Sequence, residues 1–218
     1  MPAITVIVVV VALVGGLIYV IQMMQKRRTE AMQLACQAMG FAFEEKGDLD
    51  RLRGFGDLPL FDRGHSKYAR NVMTGRTADR EVLLFDYRYT TGGGKSSHTW
   101  AQTVALFPNG AAGLPDLDLA PENFLHKIGQ AFGYQDIDFD HSPDFSDHYL
   151  LRGNDEMAIR TAFTADALSF LGQQHGWHVE IRGGHVAVYR SGRECTPPEA
   201  PAYLADTLRV LLALHPAA

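Results

Sequence analysis

The chain has 218 residues, 46% of them hydrophobic and 21% charged, with a formal net charge of −5. That composition suits a folded chain rather than a disordered one, and the acidic balance gives no general attraction to nucleic acid. Cys36 and Cys195 lie far apart and have no CxxC partner. Neither a zinc site nor a disulfide framework is expected, and both read as free thiols.

Residues 3–24, AITVIVVVVALVGGLIYVIQMM, carry no charged side chain. As a helix this run spans about 33 Å, enough to cross the hydrocarbon layer. The β-branched stretch Val8–Val11 would suit a strand in water, but lipid demands that backbone groups be satisfied within the segment, so helix is expected. A cleaved signal peptide needs a positive n-region, a shorter apolar core and a small-x-small site. Here no Lys or Arg precedes the run, and Lys26, Arg27 and Arg28 follow it at once. The expectation is an uncleaved anchor over 1–28, with the N-terminus outside and the C-terminal domain in the cytoplasm.

Residues 29–39, TEAMQLACQAM, predict a juxtamembrane helix with Ala31, Leu34, Ala35 and Ala38 on one face, ended by Gly40. The soluble domain is expected over 41–218. Residues 47–65 read as a short helix with loops. Three strands, 67–77, 81–90 and 98–107, predict an antiparallel meander, with Leu83, Phe85, Tyr87 and Tyr89 on one face of the middle strand. Residues 108–120 read as irregular. A helix is expected from Pro121, with Phe124, Leu125, Ile128 and Phe132 on a stripe. Next come a short strand near 149–152 and helices over 155–162 and 165–174. The segment WHVEIRGGHVAVYR then predicts a hairpin turning at Gly183-Gly184. Its pairing puts Trp177, Val179, Ile181, Val186 and Val188 on a buried face, and His178, Glu180, Arg182, His185 and Tyr189 on the solvent face. Thr196 and Glu199, with Pro197 between them, have capping-box spacing ahead of a last helix. This order is not a βαβ alternation, so the expected class is α+β.

The combination of one N-terminal span with LLFDYRYTTGGGKSSHTWAQTVALF and PENFLHKIGQAFGYQDIDFDHSPDFSDHYLLRG resembles bacterial single-span membrane-anchored proteins of uncharacterised function. The resemblance covers most of the soluble part. It implies a bacterial inner-membrane location and brings no activity, cofactor or catalytic residue with it.

Several constellations invite chemistry. GGGKSS at 92–97 ends like a phosphate loop, but the earlier glycine of that motif falls on Tyr89 and a strand follows instead of a helix. A hairpin loop is the better reading. No G-x-S-x-G elbow occurs, and no His partner can be assigned to either cysteine. His178, Glu180 and His185 could present zinc ligands on the hairpin's outer face, opposed by Arg182. The densest set is DIDFDHSPDFSDHY at 136–149. Counted from Asp136, the residues Asp136, Asp138, Asp140, Asp144 and Asp147 occupy positions 1, 3, 5, 9 and 12 of a calcium loop. The pattern fails where the loop must turn, because position 6 is His141 and position 8 is Pro143. The alternation of Ile137 and Phe139 with the aspartates fits a short edge strand with a wet acidic face instead, followed by a helix capped by Ser142.

No complete catalytic set is present and no cofactor is implied. The favoured reading is a membrane-anchored cytoplasmic module, held in the bilayer by residues 3–24, that binds or scaffolds another protein. The alternatives are a divalent-cation module using the five aspartates and an unfamiliar type of hydrolase.

Overall fold

The structure is a computed structural model, and it describes residues 2–77, 80–122, 124 and 136–214. Helix α1 (Pro2–Ala38) is unbroken, so the expected anchor and juxtamembrane helix form one rod. Thr29, where the juxtamembrane helix was expected to begin, lies inside it. Strand β1 (Ala42–Gly47) follows, then the short helices α2 (Leu49–Arg53) and α3 (Pro59–Asp62). The meander is formed by β2 (His65–Thr77), β3 (Arg80–Thr91) and β4 (His98–Phe107), as the alternation predicts. Next come β5 (Leu117–Pro121), α4 (Pro143–Ser146), β6 (Tyr149–Gly153), α5 (Glu156–Ala162) and α6 (Ala165–Gln173). The hairpin β7 (His178–Arg182) and β8 (His185–Tyr189) turns at Gly183-Gly184, and α7 (Ala200–Leu214) closes the domain. The capping box of Thr196 and Glu199 is present at the 3-10 turn before α7.

Eight strands form one antiparallel sheet in the order β1-β2-β3-β4-β8-β7-β5-β6. The class is therefore α+β. Both sheet faces are covered. One face packs Met73, Val82, Leu84, Val179, Ile181 and Val188 against α1, α5, α6 and α7. The other packs Leu83, Phe85, Tyr87, Tyr89 and Leu106 under α2, α3 and Phe124. Double coverage makes β3 a nearly continuous apolar strand rather than an alternating one.

Three expectations are corrected. Residues 117–121 are a strand held between β7 and the edge strand β6, and helical backbone begins at Glu122, directly after Pro121 as the sequence predicts. The helix expected beyond Pro121 falls mostly outside the described residues. The buried stripe of α1 runs through Arg28, Met32 and Cys36, leaving Leu34 67% exposed. The first strand packs beside that stripe and so selects it. Ser142 precedes α4 without a side-chain cap, and Ser146 Oγ instead accepts a hydrogen bond from the Phe139 amide at 3.0 Å.

Candidate functional site

Two charged centres lie inside the domain, one on each face of the sheet. The first is built around β3. Its α1 face reads Val82, Leu84, Asp86, Arg88, an apolar row interrupted by a carboxylate. Asp86 is fully buried. Arg28 of α1 grips it with two hydrogen bonds, Nε to Oδ2 at 2.9 Å and Nη2 to Oδ1 at 2.7 Å, while Nη1 donates to the Cys195 carbonyl at 3.0 Å. Two more donors complete the carboxylate, Asn71 Nδ2 at 2.7 Å and Thr103 Oγ1 at 3.0 Å. The fork geometry of arginine suits this bidentate grip. Asn71 reaches in because β2 breaks register between Arg70 and Met73, and Asn71 takes a left-handed φ of 52° at that bulge. Next along β3, Arg88 pairs with Glu194 at 2.9 Å. The effect is mechanical. The rod that carries the apolar run is fastened by charge to the centre of the sheet.

The second centre sits on the opposite face, on the hairpin β7–β8. Register places His178 opposite Tyr189 and Glu180 opposite Ala187. The outward face of this hairpin was expected to meet solvent. Instead His178, Glu180 and Tyr189 are buried, because α3, Arg63 and Phe124 lie over them. Arg63, only 7% exposed, donates from Nη2 to Glu180 Oε1 at 2.6 Å and from Nη1 to the Tyr189 hydroxyl. The Tyr189 hydroxyl donates to Glu180 Oε1 at 2.7 Å, and the Leu60 amide donates to Oε2 at 2.7 Å. Burial works against the charge of Arg63, and Glu180 with Tyr189 holds its pKa above the ordinary arginine value. Burial pushes the Glu180 carboxyl up, and Arg63 pulls it back.

His178 stacks on Tyr189 with ring centroids 4.6 Å apart and meets Phe124 edge-on at 4.3 Å. Neither ring nitrogen has a hydrogen-bond partner among the described residues. Burial, reinforced by Arg63, depresses its pKa well below the usual value, so the ring stays neutral. The unfolded chain protonates this histidine below about pH 6.5, whereas the folded chain does not. Stability is therefore lost as pH falls through that range. Replacing His178 with Phe keeps the aromatic stack and removes the linkage. The stability difference between H178F and the parent should grow by about 1.4 kcal/mol per pH unit below pH 6.5. Thermal or urea unfolding at several pH values measures it, and parallel curves would refute the neutral-imidazole assignment.

Beside Arg63 lies a cavity of about 30 Å³, bordered by Asp118, Phe124, Leu150 and Arg152. That is room for one or two waters and too little for a substrate. Neither cysteine is an activated nucleophile. Burial pushes the Cys195 thiol up to about 11 and raises Cys36 as well. Both are buried free thiols.

Of the five aspartates, Asp136 and Asp138 alternate with Ile137 and Phe139, which are 4% and 3% exposed. The segment runs extended beside β6. The Ile137 amide donates to the Leu151 carbonyl at 2.8 Å, and the Leu151 amide donates to Asp136 Oδ1 at 2.9 Å. Asp138, Asp140, Asp144 and Asp147 are exposed along the chain that follows. His141, at the position where a calcium loop turns, packs edge-on against Phe139 with centroids 5.8 Å apart. Among the described residues, no group of three or more His, Cys, Asp or Glu side chains stands together as a metal site. His185 lies away from the zinc set suggested with His178 and Glu180, and its Nδ1 accepts from the Asn109 amide at 3.2 Å.

Asp86 and Arg63 were missed as sites in the sequence. For Asp86 the available signal was a charge at the centre of a strand whose neighbours on both faces are apolar.

No protein-family model matches the chain. No curated protein matches it either. Among solved structures, the crystal structure of the mycobacterial trehalose monomycolate transport factor A, TtfA, is similar with a TM-score of 0.57. The likeness covers 85% of this chain and 90% of that one at 13% identity, so what the two share is a fold.

Proposed function

We propose that the chain is a single-pass membrane protein whose α+β domain binds another protein without catalysing a reaction. One observation carries this reading: the apolar helix runs unbroken into the domain and is fastened there by Arg28 and Asp86. Residues 5–38 form a helix long and apolar enough to cross a membrane, and its apolar part is fully exposed by the protein itself. A signal peptide is cut from a segment that the mature domain does not need. Here the segment's helical continuation supplies Met32 and Cys36 to the core. Lys26 and Arg27, on the domain side of the span, favour a cytoplasmic domain in a bacterial inner membrane. Among the described residues, the carboxylates of the two charged centres, Asp86 and Glu180, are each bound by internal donors. That favours a binding role over a hydrolytic one. The fold shared with a transport factor agrees with a helper in membrane traffic.

Two measurements test it. Protease added to intact spheroplasts should leave the domain uncut, and digestion would reverse the orientation. Crosslinking in the native membrane should trap a reproducible protein partner that is lost when the domain is unfolded by substitution of Asp86. Absence of any such partner would refute the binding role.

A further inference from the structure

The anchor and the sheet are tied at two points, and these fix how the membrane meets the domain. Phe41, just past α1, lies where any side chain at Gly75 would stand, and Gly75 pairs with Val82 of β3. Arg28 holds Asp86. Val82, the β3 partner of Gly75, and Asp86 are four residues apart, about 13 Å, and Ala38, three residues before Phe41, and Arg28 are ten apart along α1, about 15 Å. The order of the two ties means that α1 and β3 run in opposite directions. Beyond the Asp86 tie, Met24 ends the apolar run only about 6 Å further along the helix, whereas β3 continues about 16 Å to Thr91. The β3–β4 tip thus reaches past the point where the apolar run begins.

The tip is polar. Gly92–Thr99 are all exposed, and Lys95 has no partner among the described residues. Such a segment does not enter hydrocarbon, and the headgroup layer is about 5–7 Å deep on each side. Its neighbours suit that layer. Tyr68, 38% exposed, lies within cation–π range of Arg70 and Arg88. Tyrosine and basic side chains favour the interface.

We infer that the β3–β4 hairpin tip, with Lys95 at its apex, rests in the headgroup layer of the bilayer that α1 spans, and that α1 tilts to admit it. The inference builds on the anchored reading above. Its ligand is the lipid phosphate.

The test uses the full-length protein in vesicles of phosphatidylcholine, with and without phosphatidylglycerol. Nitroxide labels are placed at Ser96→Cys on the tip, Glu81→Cys at the opposite end of β3, and Ile18→Cys in the span. Cys36 and Cys195 are buried and are checked by mock labelling of the parent. A water-soluble nickel relaxer should reach Ser96→Cys several-fold less than Glu81→Cys. Lys95→Glu should restore access at Ser96→Cys in the vesicles containing phosphatidylglycerol. Equal access at 96 and 81, with Ile18→Cys buried in lipid, would overturn the proposal and leave the anchor intact. Nickel access at Ile18→Cys would overturn both.

Discussion

Replacing Asp86 with Ala should destabilise the full-length protein by about 3–5 kcal/mol, measured by thermal unfolding in detergent. The substitution takes the bidentate partner from Arg28, leaving it the Cys195 carbonyl and Glu194 at 4.0 Å, and removes the acceptor of Asn71 and Thr103. An unpaired interior charge costs more than the pair itself contributes, so the single variant should suffer far more than a matched apolar pair. The double variant Arg28→Met with Asp86→Leu should recover most of the loss. What it should not recover is the grip on the anchor. A spin label on α1 near Gln25 should gain motion relative to the domain in the double variant while the domain stays folded. Unchanged motion would mean that Met32 and Cys36 suffice to hold the rod, and the charged fastening would be redundant.

Replacing Glu180 with Ala should cost a similar amount, about 3–5 kcal/mol, for the same reason in a drier place. Arg63 would lose its countercharge where it is 7% exposed, and the Tyr189 hydroxyl and Leu60 amide would lose their acceptor. Glu180→Gln keeps the shape and loses the charge, so it should fall between Ala and the parent. Arg63→Met with Glu180→Leu separates structure from function. If that pair folds and still captures the crosslinked partner, the centre serves to clamp α3 onto the sheet. A folded variant that loses the partner would place the binding surface over this centre.

Much of the fold was legible where one physical signal dominated. The meander announced itself because β-branched and aromatic residues run on either side of the short polar break Ala78-Asp79-Arg80 and the Gly-rich loop 92–97. The hairpin β7–β8 was fixed by Gly183 and Gly184, whose φ values of 55° and 82° belong to the left-handed region that side chains resist. The alternation at 136–139 correctly sent Ile137 and Phe139 inward. Strands β1 and β5 escaped notice. The first is an edge of charged residues, Glu44-Glu45-Lys46, covered by a helix from earlier in the chain. The second is five residues long within a Pro/Gly/Asp-rich stretch.

The misplaced site residues have one cause. Polar residues alternating with apolar ones on β7 imply water on one side, but only for a sheet covered on one face. Here short helices of four and five residues roof the second face, and segments that short carry little periodic signal. Arg63 lies at the end of one of them, and nothing local ties it to Glu180, 117 positions away.

The missing joint between rod and domain has a consequence for how a partner is met. A flexible tether would let the domain sweep a hemisphere and present any face. In the anchored reading the domain instead keeps one azimuth to the rod and one height above the lipid. Encounters then become a search in two dimensions, in which translation and spin within the membrane plane are the freedoms left. Little orientational entropy remains to be lost on docking, so a modest contact patch could hold a membrane-bound partner that it would not hold in free solution.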